Sequence, residues 1–194
     1  MSAPDYGTAL VAIVTSLERT GVPYFVGGSV ASVVYGDVRT TYDVDIVVEL
    51  EFEQVGPLVS LLSHHFVVDE LFLRDAIQHH SSCNLIHRTS GFKVDLFLRR
   101  NRPFSRSEMD RSRSLEVLPG VHLRIASAED CVLSKLEWFE KADRASDRQW
   151  RDVLGILKGQ QGALDLAYLR RWAHELALSD LLERALVEAY GAAP

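Results

Sequence analysis

Cysteine is scarce, no apolar run is long enough to cross a bilayer, and no stretch is rich in proline, glycine and serine together. Each shortage removes a class of protein. Cys83 and Cys131 stand alone without a CxxC spacing, so neither a disulfide framework nor a cysteine zinc site is indicated, and both read as small buried hydrophobes. The first apolar stretch, Ala9 to Val14, is short and follows Asp5 rather than a basic region. A signal peptide or membrane anchor is therefore not expected, and the chain reads as soluble and cytoplasmic. His64-His65, His79-His80 and His87 fit no standard zinc spacing. There is no internal repeat. With 194 residues, 47% of them hydrophobic, and no linker, the chain is expected to form an α/β core over 1–126. A C-terminal helical extension over 127–194 would pack on that core.

Positive charge is also in short supply: the net charge is −6, which argues against a protein that coats nucleic acid. The distribution is uneven. From Arg99 to Arg113 six arginines face only Glu108 and Asp110, so this stretch carries +4 and the remainder −10. Such a cluster either meets a polyanion locally, since the guanidinium fork matches phosphate, or forms a solvated surface helix.

What is present alternates between strand and helix patterns. Ala9 to Glu18 reads as a helix and Val22 to Val26 as a strand, which stops at Gly27-Gly28. Ser29 is placed to cap a helix reaching Tyr35-Gly36. A second strand begins near Asp43, and a helical pattern follows from Glu51 to His64, although Gly56-Pro57 should break or kink it. Phe66 to Asp69 reads as a short strand, and Leu71 to His80 is ambiguous between helix and irregular chain. Asn84–Arg88 and Phe92–Leu98 form strands about Thr89-Ser90-Gly91, and Pro119-Gly120 separates another pair. From Ser127 onward all is helical, opening on a start signal, Ser127-Ala128-Glu129-Asp130.

Within the second strand, Asp43 and Asp45 lie two apart in the run Thr41-Tyr42-Asp43-Val44-Asp45-Ile46-Val47-Val48. Residues i and i+2 of a strand point the same way, so both carboxylates leave one surface together. Like charges that close need a cation, and hard divalent metals are held by one or two carboxylates together with substrate phosphates. A third acid, Asp95, lies between Val94 and Leu96 on a later strand. A glycine turn that opens a helix, as at Gly28-Ser29, suits a phosphate, because free N–H groups and the positive end of the helix dipole meet there.

Gly28-Ser29, Asp43, Asp45 and Asp95, in this order and on these elements, resemble the nucleotidyltransferase superfamily that includes DNA polymerase beta. Ile125 to Asp130, Lys135, and Arg148-Gln149-Trp150-Arg151-Asp152-Val153 resemble the later motifs of nucleotidyltransferases related to bacterial abortive-infection toxins. The similarity runs from Val22 to about Leu157. It implies a mixed sheet flanked by helices, with Mg²⁺ or Mn²⁺ held by Asp43, Asp45 and Asp95, which would also be the catalytic acids. The implied reaction moves a nucleoside monophosphate from an NTP such as ATP to a hydroxyl of RNA, protein or a small molecule. A toxin role with an antitoxin partner is also implied, while a non-catalytic nucleotide-binding or antitoxin-type module with this fold is the rival.

Lys135 has Cys131, Val132, Trp138 and Phe139 three and four residues away on its helix, and so falls on a face expected to be buried. It would either reach the triphosphate or extend its ammonium to water. Asp152 and Arg151 would brace the site or pair with it. Arg39 and Thr41 would touch phosphates or shape the loop before the acids. Trp138, Trp150 and Trp172 read as core.

Overall fold

The second strand, β2 (Asp43–Val48), shows why the chain folds as it does: its residues alternate between half-exposed and buried, with Val44, Ile46 and Val48 all at 0% exposure. Hydrophobic burial of this kind stabilises by about 1.5–3 kcal/mol per side chain. It also sets the register, since a slip of one residue would drive Asp43 and Asp45 into the apolar layer. The structure is a computed structural model, and it describes residues 6–37, 41 and 43–191. Arg39, expected to touch phosphates or to shape the loop before the acids, lies outside the described residues.

The chain divides into two compact units, Met1–Gly27 with Thr41–Ile125, and Gly28–Thr40 with Ala126–Pro194. The first holds a seven-stranded sheet made of β1 (Tyr24–Val26), β2, β3 (Phe66–Val67), β4 (Ser82–His87), β5 (Lys93–Leu98), β6 (Arg113–Leu118) and β7 (Val121–Ile125). Its order is β3-β4-β5-β2-β1-β7-β6. The sheet is mixed: β2 runs parallel to β5 and β1 parallel to β7, while the other neighbours are antiparallel. Gly91 and Gly120, at φ +69° and +74°, take the left-handed conformation in the turns β4–β5 and β6–β7. Among the described residues, four helices complete this unit: α1 (Tyr6–Arg19), α3 (Phe52–Leu62), α4 (Glu70–His79) and α5 (Pro103–Arg111). Leu10, Ile13 and Leu17 of α1, Val55, Leu58 and Leu62 of α3, and Leu73 of α4 are fully buried with the apolar strand residues.

Helix α3 runs through Pro57, where a break or kink is expected from the sequence. The residue before a proline normally avoids helical backbone partly because its Cβ meets the proline ring, and Gly56 has no Cβ. The ambiguous segment is the helix α4, started by Asp69, whose carboxylate accepts the Leu71 N–H at 2.8 Å. Leu71 and Phe72 point outward at 74% and 68% exposure, which is why the apolar spacing there does not read cleanly as amphipathic.

The second unit is helical: α2 (Gly28–Tyr35), α6 (Ala128–Lys141), α7 (Asp147–Gly159), α8 (Leu166–Glu175) and α9 (Ser179–Tyr190). Ser127 caps α6 as its sequence signal requires, accepting the Asp130 N–H at 3.1 Å. The fully buried Asp130 takes hydrogen bonds from the Ser127 hydroxyl at 2.6 Å and the Tyr168 hydroxyl at 2.6 Å, so its charge is well compensated. Trp150 is buried, stacks near Phe139 with ring centroids 5.1 Å apart, and donates to Glu188 at 3.1 Å. Trp138 departs from the core role expected of it: it is 48% exposed, beneath the Lys141 ammonium.

Helices α2 and α7 approach closely because glycines face the contact. A Cβ added at Gly159 would lie 2.5 Å from the Tyr35 carbonyl oxygen, and one at Gly36 would lie 2.9 Å from the backbone of Gly155 and Ile156. Alanine at position 159 would ordinarily favour a helix by up to about 1 kcal/mol. Here the steric cost of about 1–3 kcal/mol prevails. Gly159→Ala is therefore expected to lower stability by chemical denaturation, and an unchanged midpoint would refute this close packing.

Candidate active site

Pairing of β2 with β5 gathers the acids. The registered pairs Asp43↔Lys93 and Asp45↔Asp95 stand on neighbouring parallel strands, so four charged side chains leave one face of the sheet. On that face Asp43 and Asp45 are half-buried, while Asp95 is 8% exposed. The Thr41 hydroxyl lies 3.0 Å from both the Asp43 carbonyl oxygen and its carboxylate Oδ1. Thr41 thus shapes the entry to β2 through Asp43.

Lys93 is the site residue that sequence reading missed. Its Nζ donates to Asp95 Oδ2 at 2.8 Å. That hydrogen bond raises the pKa of the ammonium above its ordinary value, against the opposing effect of burial, and the fields of Asp95, Asp43 and Asp45 add to the rise. The signal was available: Lys93 lies two residues before Asp95 on one strand, hence on the same face.

Asp95 Oδ1 is buried and has no hydrogen-bond partner. An uncompensated buried carboxylate oxygen is costly, and a hard cation with oxygen ligands is one group that would satisfy it. The donor set of three carboxylates suits Mg²⁺ or Mn²⁺. Among the described residues, no three His, Cys, Asp or Glu side chains are already arranged to hold a metal ion. In the arrangement observed, Lys93 is the cation that engages Asp95.

At the end of β1, the Gly27 N–H donates to the Asp45 carbonyl at 2.9 Å, which anchors the strand end beside the acidic pair's own backbone. Gly28 follows with φ +53°, a conformation natural to glycine, and opens α2. Ser29 lies inside the helix rather than at its cap as expected, because the helix begins at Gly28. Its hydroxyl accepts from the Arg148 guanidinium at 2.9 Å. Arg148, in the first turn of α7, thus brings positive charge to the N-terminal end of α2. No spacing in the sequence links these two residues, which are 119 positions apart.

Lys135 is buried on α6 as its neighbours predict, at 5% exposure, and its Nζ donates to Asp152 Oδ2 at 2.7 Å. Both side chains of this pair are under 10% exposed. Any part Lys135 takes in nucleotide binding rests on the family resemblance; the observed geometry gives it a buried counter-ion that joins α6 to α7. Removing one member of a buried pair leaves the other charge uncompensated, at a cost of about 3–5 kcal/mol. Asp152→Ala should therefore destabilise the protein by that amount in a denaturant titration, whereas Lys135→Met combined with Asp152→Leu should recover most of it. Equal loss in the single and double variants would count against a pairwise role.

No protein-family model matches this sequence, and no curated protein sequence matches it. Solved structures do resemble it. The antibiotic-resistance factor ANT(2")-Ia, solved with adenylyl-2"-tobramycin, aligns over 87% of this chain and 96% of its own with a TM-score of 0.54 at 13% identity. An antigenic nucleotidyltransferase-like protein from Paracoccidioides brasiliensis aligns over 91% of this chain and 90% of its own, with TM-score 0.52 and 16% identity. A Thermotoga maritima protein aligns over 77% of this chain and 94% of its own, with TM-score 0.51 and 18% identity. The mixed sheet and these likenesses give the chain the fold that these proteins share.

Proposed function

We propose that this protein transfers a nucleoside monophosphate from an NTP to a hydroxyl group, with release of pyrophosphate. The observation that carries the reading is the set Asp43, Asp45 and Asp95 on one face of paired strands, with an unsatisfied buried oxygen on Asp95. Asp43, Asp45 and Asp95 would hold Mg²⁺ or Mn²⁺, which when bound neutralises phosphate charge and polarises the phosphorus under attack. Asp95, the most buried of the three, would accept the proton of the attacking hydroxyl. That oxygen forms a bond to the α-phosphorus as the bond to pyrophosphate breaks. Gly28 and Ser29, at the start of α2, would bind the triphosphate through the N-terminus of that helix, with Arg148 adding charge there. Thr41, through Asp43, would hold the acid in place, and Arg39 is assigned to the phosphates by resemblance alone.

The acceptor we favour is a small hydroxyl-bearing molecule rather than RNA. Several arginines of the Arg99–Arg113 stretch are engaged within the protein: Arg99 with Glu49 at 2.7 Å, Arg102 with Ser105 and over the Phe104 ring, and Arg106 with Asn101. With a net charge of −6, the chain presents a poor surface for a polyanion. The likeness to ANT(2")-Ia, solved with an adenylylated antibiotic, points the same way. The antitoxin partner implied by the motif resemblance gains no support from these likenesses. Among the described residues no helix is long and apolar enough to cross a membrane.

The test is incubation with labelled NTPs and Mg²⁺, offering aminoglycosides and other polyhydroxylated small molecules, total RNA and the protein itself as acceptors. Label should pass to a small molecule, and Asp43→Asn and Asp45→Asn should each slow transfer by about 10²–10³-fold, the scale of a lost electrostatic contribution in a transition state. Absence of transfer to every acceptor, with NTP affinity unchanged in both variants, would leave a nucleotide-binding module in place of an enzyme. Transfer to RNA alone would overturn the choice of acceptor.

A further inference from the structure

Lys93 occupies one corner of a rectangle whose other corners are Asp43, Asp45 and Asp95. Its sides follow from strand geometry, about 4.8 Å between strands and about 6.7 Å for two residues along one strand. The lysine is therefore next to Asp43 across the strands, next to Asp95 along its own strand and diagonal to Asp45. Its ammonium hydrogen-bonds Asp95 at 2.8 Å. The other Asp95 oxygen is left buried and unpartnered. Three carboxylates and one ammonium carry a formal net charge of −2, enough to attract a divalent cation, and Lys93 already engages Asp95 among them.

We propose, on the basis of the metal-dependent reading above, that Lys93 is a displaceable counter-cation that competes with free divalent metal for Asp95. The side chain suits exchange. Its flexible stem carries a compact ammonium, and it is 41% exposed against 11% for its carboxylate partner, so it can swing outward without opening the core. A metal arriving with a triphosphate brings its own anion, and that anion compensates the ammonium as it leaves Asp95. Metal without nucleotide offers no such compensation and must displace Lys93 into water. The lysine thus weakens occupancy by free metal and favours the metal–nucleotide pair, acting as a positioning residue.

The experiment is a Mn²⁺ titration of the nucleotide-free protein followed by electron paramagnetic resonance, for the wild type, Lys93→Gln, Lys93→Arg and Asp45→Asn, with folding of each checked by circular dichroism and thermal melting. Lys93→Gln should bind Mn²⁺ about tenfold more tightly than wild type, and Lys93→Arg, which keeps the charge, should remain near wild type. Equal or weaker Mn²⁺ binding by Lys93→Gln, with wild type binding more tightly than Asp45→Asn, would overturn the counter-cation role and leave the metal site standing. If wild type and Lys93→Gln both bind no better than Asp45→Asn, the metal-dependent reading itself fails, and this inference with it.

Discussion

The pairing of β2 with β5 is the constraint on which the candidate site depends. Its register sets Val44 against Val94 and Ile46 against Leu96, all four buried, and by the same alternation sets Asp43 and Asp45 beside Lys93 and Asp95 on the opposite face. Core and site are two sides of one ladder. Apolar burial supplies the free energy, and the charges are placed as a consequence. A concentration of negative charge that would be unfavourable on its own is tolerated because the strands carrying it are held by the layer beneath.

The two compact units solve the problem of buried charge differently. In the helical unit, Asp130 is saturated by Ser127 and Tyr168, and Lys135 by Asp152, so each buried charge has its partner within the protein. On the sheet, Asp95 has a lysine on one oxygen and nothing on the other. Complete satisfaction fits a structural role, since partners inside a low-dielectric core rigidify it. Incomplete satisfaction at a carboxylate beside two more carboxylates fits a site that receives a cation from outside.

Much of the fold was legible from the sequence because its signals were local. Alternation marked β2 and β5, turn residues marked the two hairpins, and Ser127-Ala128-Glu129-Asp130 marked the start of α6. Where local signals conflicted, tertiary context decided. Pro57 stays within α3 behind a glycine, α4 forms despite two outward apolar residues, and Trp138 lies at the surface although its spacing resembles that of its buried neighbours. Periodicity states which residues share a face, and only packing states whether that face is covered.

The sequence by itself determined the chemical inventory: an acidic pair on one strand face, a third strand-borne acid, a glycine turn opening a helix, and a lysine on an apolar helical face. Each follows from spacing of five residues or fewer, the range over which strand and helix geometry dictate direction. Tertiary structure alone decided the partners. It set Asp45 beside Asp95, gave Lys135 to Asp152, brought Arg148 to Ser29, and set Lys93 opposite Asp43. Those pairings join residues up to 119 positions apart, and over such separations only the packed chain, with no local periodicity to guide it, specifies which charges meet.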